Sequence, residues 1–386
     1  MGSNKVGLCI AYTGTNYGQL LQAFATQQIV RELGYSTEII KYHSGKKKGI
    51  RPSYAAAIVS IKQVSSIFRQ KLKKQDTITT DEVHRNNIKL RKMQADLFRK
   101  TYLKDVVECN GINELRNKSK EYFAVLVGSD QVWLPDVAVS NFFTLRFAAP
   151  GVRRISYATS LGVSSYPNYV KKSAAEFWKK IDYLSVREQQ GKDIIQSIAH
   201  VPVKVVADPT YLFTKSEWER LIPDARVVQD DYVLCYFLGD SQSTKSYARM
   251  FADKVGVRLV SILSDECQSR DDEFADEVIV GESIESFVNL IRHAKYVLTD
   301  SFHGLAFSVI NEKQVLVFYR NRTDVKESRN SRIDNIVRSW GIEDRLICNP
   351  EHMILPTNNI DYVEVSHRVE VLRNQSLEFL ESALKS

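Results

Sequence analysis

The sequence predicts an α/β protein made of two Rossmann-like, doubly wound domains that face each other across a cleft. Three observations lead there. The chain has 386 residues, more than one ordinary hydrophobic core needs. Its composition, 44% apolar and 26% charged, is globular and excludes disordered and fibrous classes. Strand-like and helix-like patterns alternate through the first half and begin again near Tyr232, as two successive parallel arrays would.

The elements follow in order. Val6–Tyr12 is an apolar run that reads as a buried strand. It leads into Thr13-Gly14-Thr15-Asn16-Tyr17-Gly18 and a helix-patterned stretch, Gln19–Leu33, stopped by Gly34; Ser36–Tyr42 is the next strand. Strand, helix and strand in that order make a right-handed parallel unit. Tyr122–Val127, Ile155–Ala158, Tyr183–Val186 and Val203–Val206 read as further strands. Asp208-Pro209 punctuates the chain, because a residue before proline is driven out of helical geometry. In the second half the strands are Tyr232–Phe237, Arg258–Ile262, Tyr296–Leu298 and Val315–Phe318. Helices are expected over Ser283–Arg292, from about Gly304, and in a tail from about Val363 to Leu384. The expected division is residues 1–225, residues 226–360 and a C-terminal helix over 361–386, with a basic insert at about 44–104.

The insert holds most of the charge. Ser44 to Lys104 contains sixteen Lys/Arg against four Asp/Glu, which leaves −5 for the remainder of a +7 chain. Ile61, Val64, Ile67, Phe68 and Leu72 fall at helical spacing among Lys62, Arg69, Lys71, Lys73 and Lys74. Such a helix suits an anionic membrane surface, or equally packs on the body with a solvated basic face. No base-reading module accompanies the charge, so nucleic acid is not an expected partner. No apolar run reaches the roughly 18–20 residues of a membrane span. The start lacks the apolar core of a signal peptide and a myristoylation signal. A cytoplasmic protein is expected, with the insert opening the option of peripheral attachment at the inner membrane face. The five cysteines are scattered and form no C-x-x-C pair, which points to free thiols, and no cluster has metal-ligand spacing.

Ligands of open parallel sheets bind outside the carboxyl ends of the strands, and four loops qualify. Thr13 to Gln19 ends a strand and opens a helix, offering amides and two glycines for close approach. Gly128-Ser129-Asp130-Gln131-Val132-Trp133 gathers a hydroxyl, a carboxylate, an amide and an indole, a kit for holding a sugar; the alternative is a helix cap with Trp133 as packing. Thr299-Asp300-Ser301-Phe302-His303-Gly304 opens an apolar helix whose amides suit a phosphate, and His303 is the best single candidate for proton transfer. Tyr319 to Arg332 gathers Arg320, Arg322, Lys326, Arg329 and Arg332, forks suited to phosphate and carboxylate.

At these residues the chain resembles the polysaccharide pyruvyl transferase family. The matching stretches are Asn16-Tyr17-Gly18 with Leu20-Leu21-Gln22-Ala23, Val127 to Trp133, Tyr157 to Gly162, Ser185-Val186-Arg187-Glu188, Asp208-Pro209-Thr210 and Thr299 to Gly304. They occur in the family's order from about Val6 to Arg345. One departure stands out: several branches carry Arg-Leu-His where this chain has Ser301-Phe302-His303, so the histidine carries over and the arginine does not. The resemblance implies a GT-B-like pair of domains, the first for acceptor and the second for donor. It implies phosphoenolpyruvate as donor substrate, a sugar acceptor that is free or lipid-linked, and no cofactor or metal. On that reading His303 and Asp130 are catalytic, and Ser301, Phe302, Gly304, Arg329, Arg332 and Arg187 bind the donor. Asn16, Tyr17, Gly18, Gln22, Ser129, Gln131 and Trp133 bind the acceptor. The rival expectations are a nucleotide-sugar glycosyltransferase on the same architecture and a non-catalytic glycan-binding subunit.

Overall fold

Each sheet is laid down from its middle outward, which leaves a crevice where the winding reverses. The computed structural model describes residues 4–44, 59, 82–265, 273–320, 331–352, 355 and 358–385, without the side chains of 331 and 332. The predicted basic helix around Ile61–Leu72 lies outside them. In the first sheet, β1 (Lys5–Cys9) pairs in parallel with β2 (Ser36–His43) on one side and β4 (Ala124–Val127) on the other. β3 (Val106–Asn110) closes one edge. β5 (Arg153–Thr159), β6 (Tyr183–Val186) and β7 (Lys204–Val205) extend the other, giving the order β3-β2-β1-β4-β5-β6-β7.

The second sheet repeats the plan around β8 (Tyr232–Tyr236), with β9 (Arg258–Ile262) and β10 (Glu277–Ile279) on one side. β11 (Tyr296–Thr299), β12 (Gln314–Phe318) and β13 (Leu346–Ile347) lie on the other. β1, β4, β8 and β11 are buried along almost their whole length, as expected of strands covered on both faces. Two Rossmann-like parallel sheets are therefore present, as the sequence predicts. The edge strands β3, β10 and β13 were not predicted.

Three helices join the halves. α1 (Tyr17–Glu32) follows β1, and twelve of its sixteen residues are buried, so it is an interior helix. Tyr17 at its head stacks on Phe287 of the second domain with ring centres 4.5 Å apart. α2 (Glu82–Tyr102) buries Asn87, whose amide donates to Leu263 O and accepts from Gly281 N, both in the second domain. The last helix, α11 (Tyr362–Lys385), returns to the first domain. There its Leu384 carbonyl accepts from Tyr35, and Arg153 donates to Ala383 and Leu384. Among the described residues no helix is long and apolar enough to cross a membrane.

Candidate active site

The switch points of the two sheets meet where α1 faces α9 (Phe302–Ile310). α9 begins after β11 because Ser301 leaves helical geometry and its hydroxyl accepts from Gly304 N at 3.2 Å. A side chain on Gly304 would collide with Thr299 Oγ1 at 2.4 Å, so only glycine lets the helix close on its strand. Asp300 is not free for a ligand: its carboxylate accepts from Leu238 N and Gly239 N, each at 2.7 Å, and stitches β11 to the end of β8.

His303 leaves its own domain and enters a socket of the first. Gly18 lies against the imidazole; a Cβ there would stand 2.0 Å from Nδ1. On the other side His303 Nε2 lies 3.8 Å from Asp208 Oδ2, within ion-pair reach but beyond a hydrogen bond. Asp208 is wholly buried and caps the short turn Pro209–Leu212 through Thr210 N and Oγ1. Its Oδ2 accepts from Ser129 Oγ and from Arg187 Nη1, each at 2.7 Å. Burial alone would raise the Asp208 pKa. Nearby His303, Arg187 and Ser129 overcome that and hold it well below the usual carboxylate range. Burial would lower the Arg187 pKa, but Glu188, Asp208 and Asp130 outweigh it and raise it above the usual arginine value. Arg187 also lies over the Phe302 ring, 4.1 Å from its centre. Its Nη2 and His303 Nε2 are both buried with no hydrogen-bond partner among the described residues. Arg187, Asp208 and Phe302 line a cavity of ≈ 90 Å³.

Asp130, at the end of β4, adopts φ 74°, a left-handed conformation that costs a non-glycine residue energy. Its carbonyl accepts from Val132 N and Ser160 N, which lock the turn. Its half-buried carboxylate accepts from Gln19 Nε2 at 3.4 Å, and Gln19 Oε1 in turn accepts from Gly14 N. Asn16 caps α1 through Gln19 N and keeps partial exposure, as does Gln131 beside Gly162.

Four expected acceptor contacts are corrected. Trp133 is fully buried, donates to Phe143 O at 2.9 Å and packs on Phe177 and Trp178; it is core, not a stacking platform for a sugar. Tyr17 is closed off between Phe287 and Arg91, whose Cζ sits 3.7 Å from its ring centre. Gln22 is buried and its amide donates to Ala11 O and Gln19 O, shaping the loop rather than facing it. The Ser129 hydroxyl is engaged by Asp208. Arg329 and the Arg332 side chain lie outside the described residues. The sequence offers Asp208 as punctuation and within a matching stretch, but not as a site residue; a carboxylate at the end of a parallel strand is the available signal.

A model of the polysaccharide pyruvyl transferase family matches residues 16–322. The chain belongs to that family. The matched span contains Gly18, Ser129, Asp130, Arg187, Asp208 and His303. No curated protein matches the sequence. Among solved structures, UDP-GlcNAc 2-epimerase from Methanocaldococcus jannaschii is 11% identical with a TM-score of 0.51, over 96% of this chain and 93% of that one. UDP-N-acetylglucosamine 2-epimerase from Rickettsia bellii is 10% identical (TM-score 0.47, 98% and 96% covered). The glycosyltransferase SnogD from Streptomyces nogalater is also 10% identical (TM-score 0.44, 100% and 99% covered). At such identities the likeness to the first is one of fold, the GT-B-like pairing of two Rossmann domains.

Proposed function

We propose that the protein transfers the enolpyruvyl unit of phosphoenolpyruvate to a sugar of a cell-surface polysaccharide or its lipid-linked precursor, forming a pyruvate ketal. The observation that carries this reading is His303, a second-domain imidazole seated against the buried Asp208 carboxylate of the first. In the proposed reaction one sugar hydroxyl adds to C2 of the donor while the C3 methylene takes a proton and becomes a methyl group. Phosphate then leaves C2. A second hydroxyl of the same sugar adds there, and its proton goes with the phosphate. His303 supplies the proton to C3, and the buried Asp208 carboxylate, 3.8 Å from its Nε2, holds the ring in place. Asp130 accepts the proton of the first hydroxyl. Arg187 and the positive end of α9 attract the donor's carboxylate and phosphate. Since Ser301 replaces the arginine of other branches, Arg187 is the first candidate for that charge among the described residues.

The test is release of phosphate from phosphoenolpyruvate in the presence of glycan, with one pyruvylidene gained by the acceptor. Wild-type protein should do this and His303→Ala should not. Thermal stabilisation by a nucleoside diphosphate but not by phosphoenolpyruvate, without phosphate release, would instead favour glycosyl transfer.

A further inference from the structure

One helix carries much of the apolar surface left in solvent. Val83, Ile88, Met93 and Leu97 are exposed large apolar side chains of α2, and Val106 follows just beyond it. Val83, half-buried Leu90, Met93 and Leu97 are separated by seven, three and four residues, which sets them along one side of the helix. Met93 and Leu97 are 57% and 58% exposed. Arg85, Lys89, Lys92 and Lys100 are exposed on the same helix. Against these four cations α2 exposes Glu82 and Asp96, and Asp96 already pairs with Arg99 at 2.7 Å.

The other face of α2 borders the cleft. Arg91 donates to Thr15 O, and Arg99 donates to Tyr12 O and Gly14 O, holding the loop between β1 and α1. Asn87 holds the second domain. Leu90 packs against Gly281 of the second domain, so exposed Met93 and Leu97 stand beside that contact at the rim of the cleft.

We propose that this face of α2 docks on an anionic lipid bilayer and so holds the cleft open to a membrane-borne glycan acceptor. The chemistry distinguishes a bilayer from other partners. Single exposed apolar residues are ordinary, but a stripe of them on one helix marks a contact surface. Protein interfaces are depleted in lysine and enriched in aromatic residues, methionine and arginine; α2 exposes one methionine and one arginine against three lysines, and no aromatic ring. Nucleic acid would use the cations and leave Met93 and Leu97 without purpose. An interfacial helix uses both, burying thioether and leucine side chains at the headgroup boundary while lysines reach the anionic surface. What the membrane delivers rests on the pyruvyl-transfer reading; the docking itself does not.

The full chain is sedimented with phosphatidylcholine vesicles that contain or lack phosphatidylglycerol, at low and high salt. Binding should need phosphatidylglycerol and fall steeply with salt. Replacing Lys89, Lys92 and Lys100 by glutamine should weaken it roughly a hundredfold, about fivefold for each lysine. Met93→Ser with Leu97→Ser should weaken it roughly tenfold or more. All five positions are exposed, so both variants should keep the wild-type melting temperature and turn over phosphoenolpyruvate on a water-soluble acceptor normally. Wild-type binding by both variants, equal uptake by neutral vesicles, or equally tight retention of duplex DNA would each overturn the proposal. Vesicle binding without turnover on any acceptor would defeat the transfer reading and leave the docking intact; turnover without vesicle binding would do the reverse.

Discussion

Gly18 and His303 belong to different domains and touch so closely that a Cβ on Gly18 would stand 2.0 Å from His303 Nδ1 and 2.2 Å from Cγ. The glycine is thus part of the histidine's socket, and its missing side chain matters more than its backbone freedom. In Gly18→Ala either the imidazole leaves Asp208 or α1 and α9 separate. Turnover should fall about 100- to 10,000-fold, the range of a lost proton donor. Circular dichroism should stay native. Steady-state rates check this, and full activity in Gly18→Ala would show that His303 works from some other position.

Asp208 and Arg187 form a buried pair, so neither can be removed alone without cost. Arg187→Met removes the guanidinium that donates to the buried Asp208 carboxylate, and Asp208→Asn leaves the buried Arg187 guanidinium with Glu188, 3.4 Å away, as its remaining ion-pair partner. Each should cost about 3–5 kcal/mol. The double variant Arg187→Met with Asp208→Asn should be more stable than the sum of the two losses implies. Denaturant titration of the four proteins gives the coupling directly. Simple additivity would mean that the pair contributes no mutual stabilisation.

The same carboxylate makes the fold sensitive to acid. Its folded pKa is depressed through His303, Arg187 and Ser129, despite burial. Its contribution is therefore complete above the unfolded carboxylate pKa of about 4 and declines as pH falls from there toward the folded value. The stability difference between wild type and Asp208→Asn should be flat above about pH 5 and shrink at lower pH. A difference that grew on acidification would reverse the sign of the linkage.

Much of this site was legible because strand ends announce themselves: an apolar run, then Gly, Ser, Asp or His. That pattern located Gly18, Ser129, Asp130 and His303 in the loops that do face one another. It could not tell which way a side chain points. Trp133 and Tyr17 look like sugar platforms in sequence, and packing against Phe177 and Phe287 makes them core. Asp208 was hidden for a different reason. Its partners are 79 residues away at Ser129 and 21 away at Arg187, and no local pattern joins them. α2 is hard to read because only half of its buried face is apolar, with Asn87 and Arg91 buried in line with Ala95 and Phe98. β3 escaped because an edge strand alternates too weakly, with only Cys109 fully buried.

Trp133 gives a clean separation of packing from binding. Trp133→Phe removes the bond to Phe143 O and part of the ring that packs on Trp178. Stability should drop by about 1–3 kcal/mol, from the lost hydrogen bond and the space left behind. The apparent affinity for the acceptor should not change. A raised acceptor KM with an unaltered melting temperature would restore the indole to the binding surface.

Asp130 separates strain from chemistry. Its φ of 74° is a conformation glycine adopts freely and aspartate does not. Asp130→Gly should therefore raise stability by up to about 1 kcal/mol while removing the carboxylate proposed to accept the hydroxyl proton. Asp130→Asn keeps both the size and the tolerance for this geometry, so its stability should stay near wild type. On the proposed reading, which has Arg187 and α9 meet the donor's charge, both variants should still be stabilised by phosphoenolpyruvate in thermal melts. Both should lose transfer to the acceptor. A stable and active Asp130→Gly protein would mean that the strained turn serves only to aim its neighbours, with Gln19 and its loop left as the next candidates for contact with the sugar.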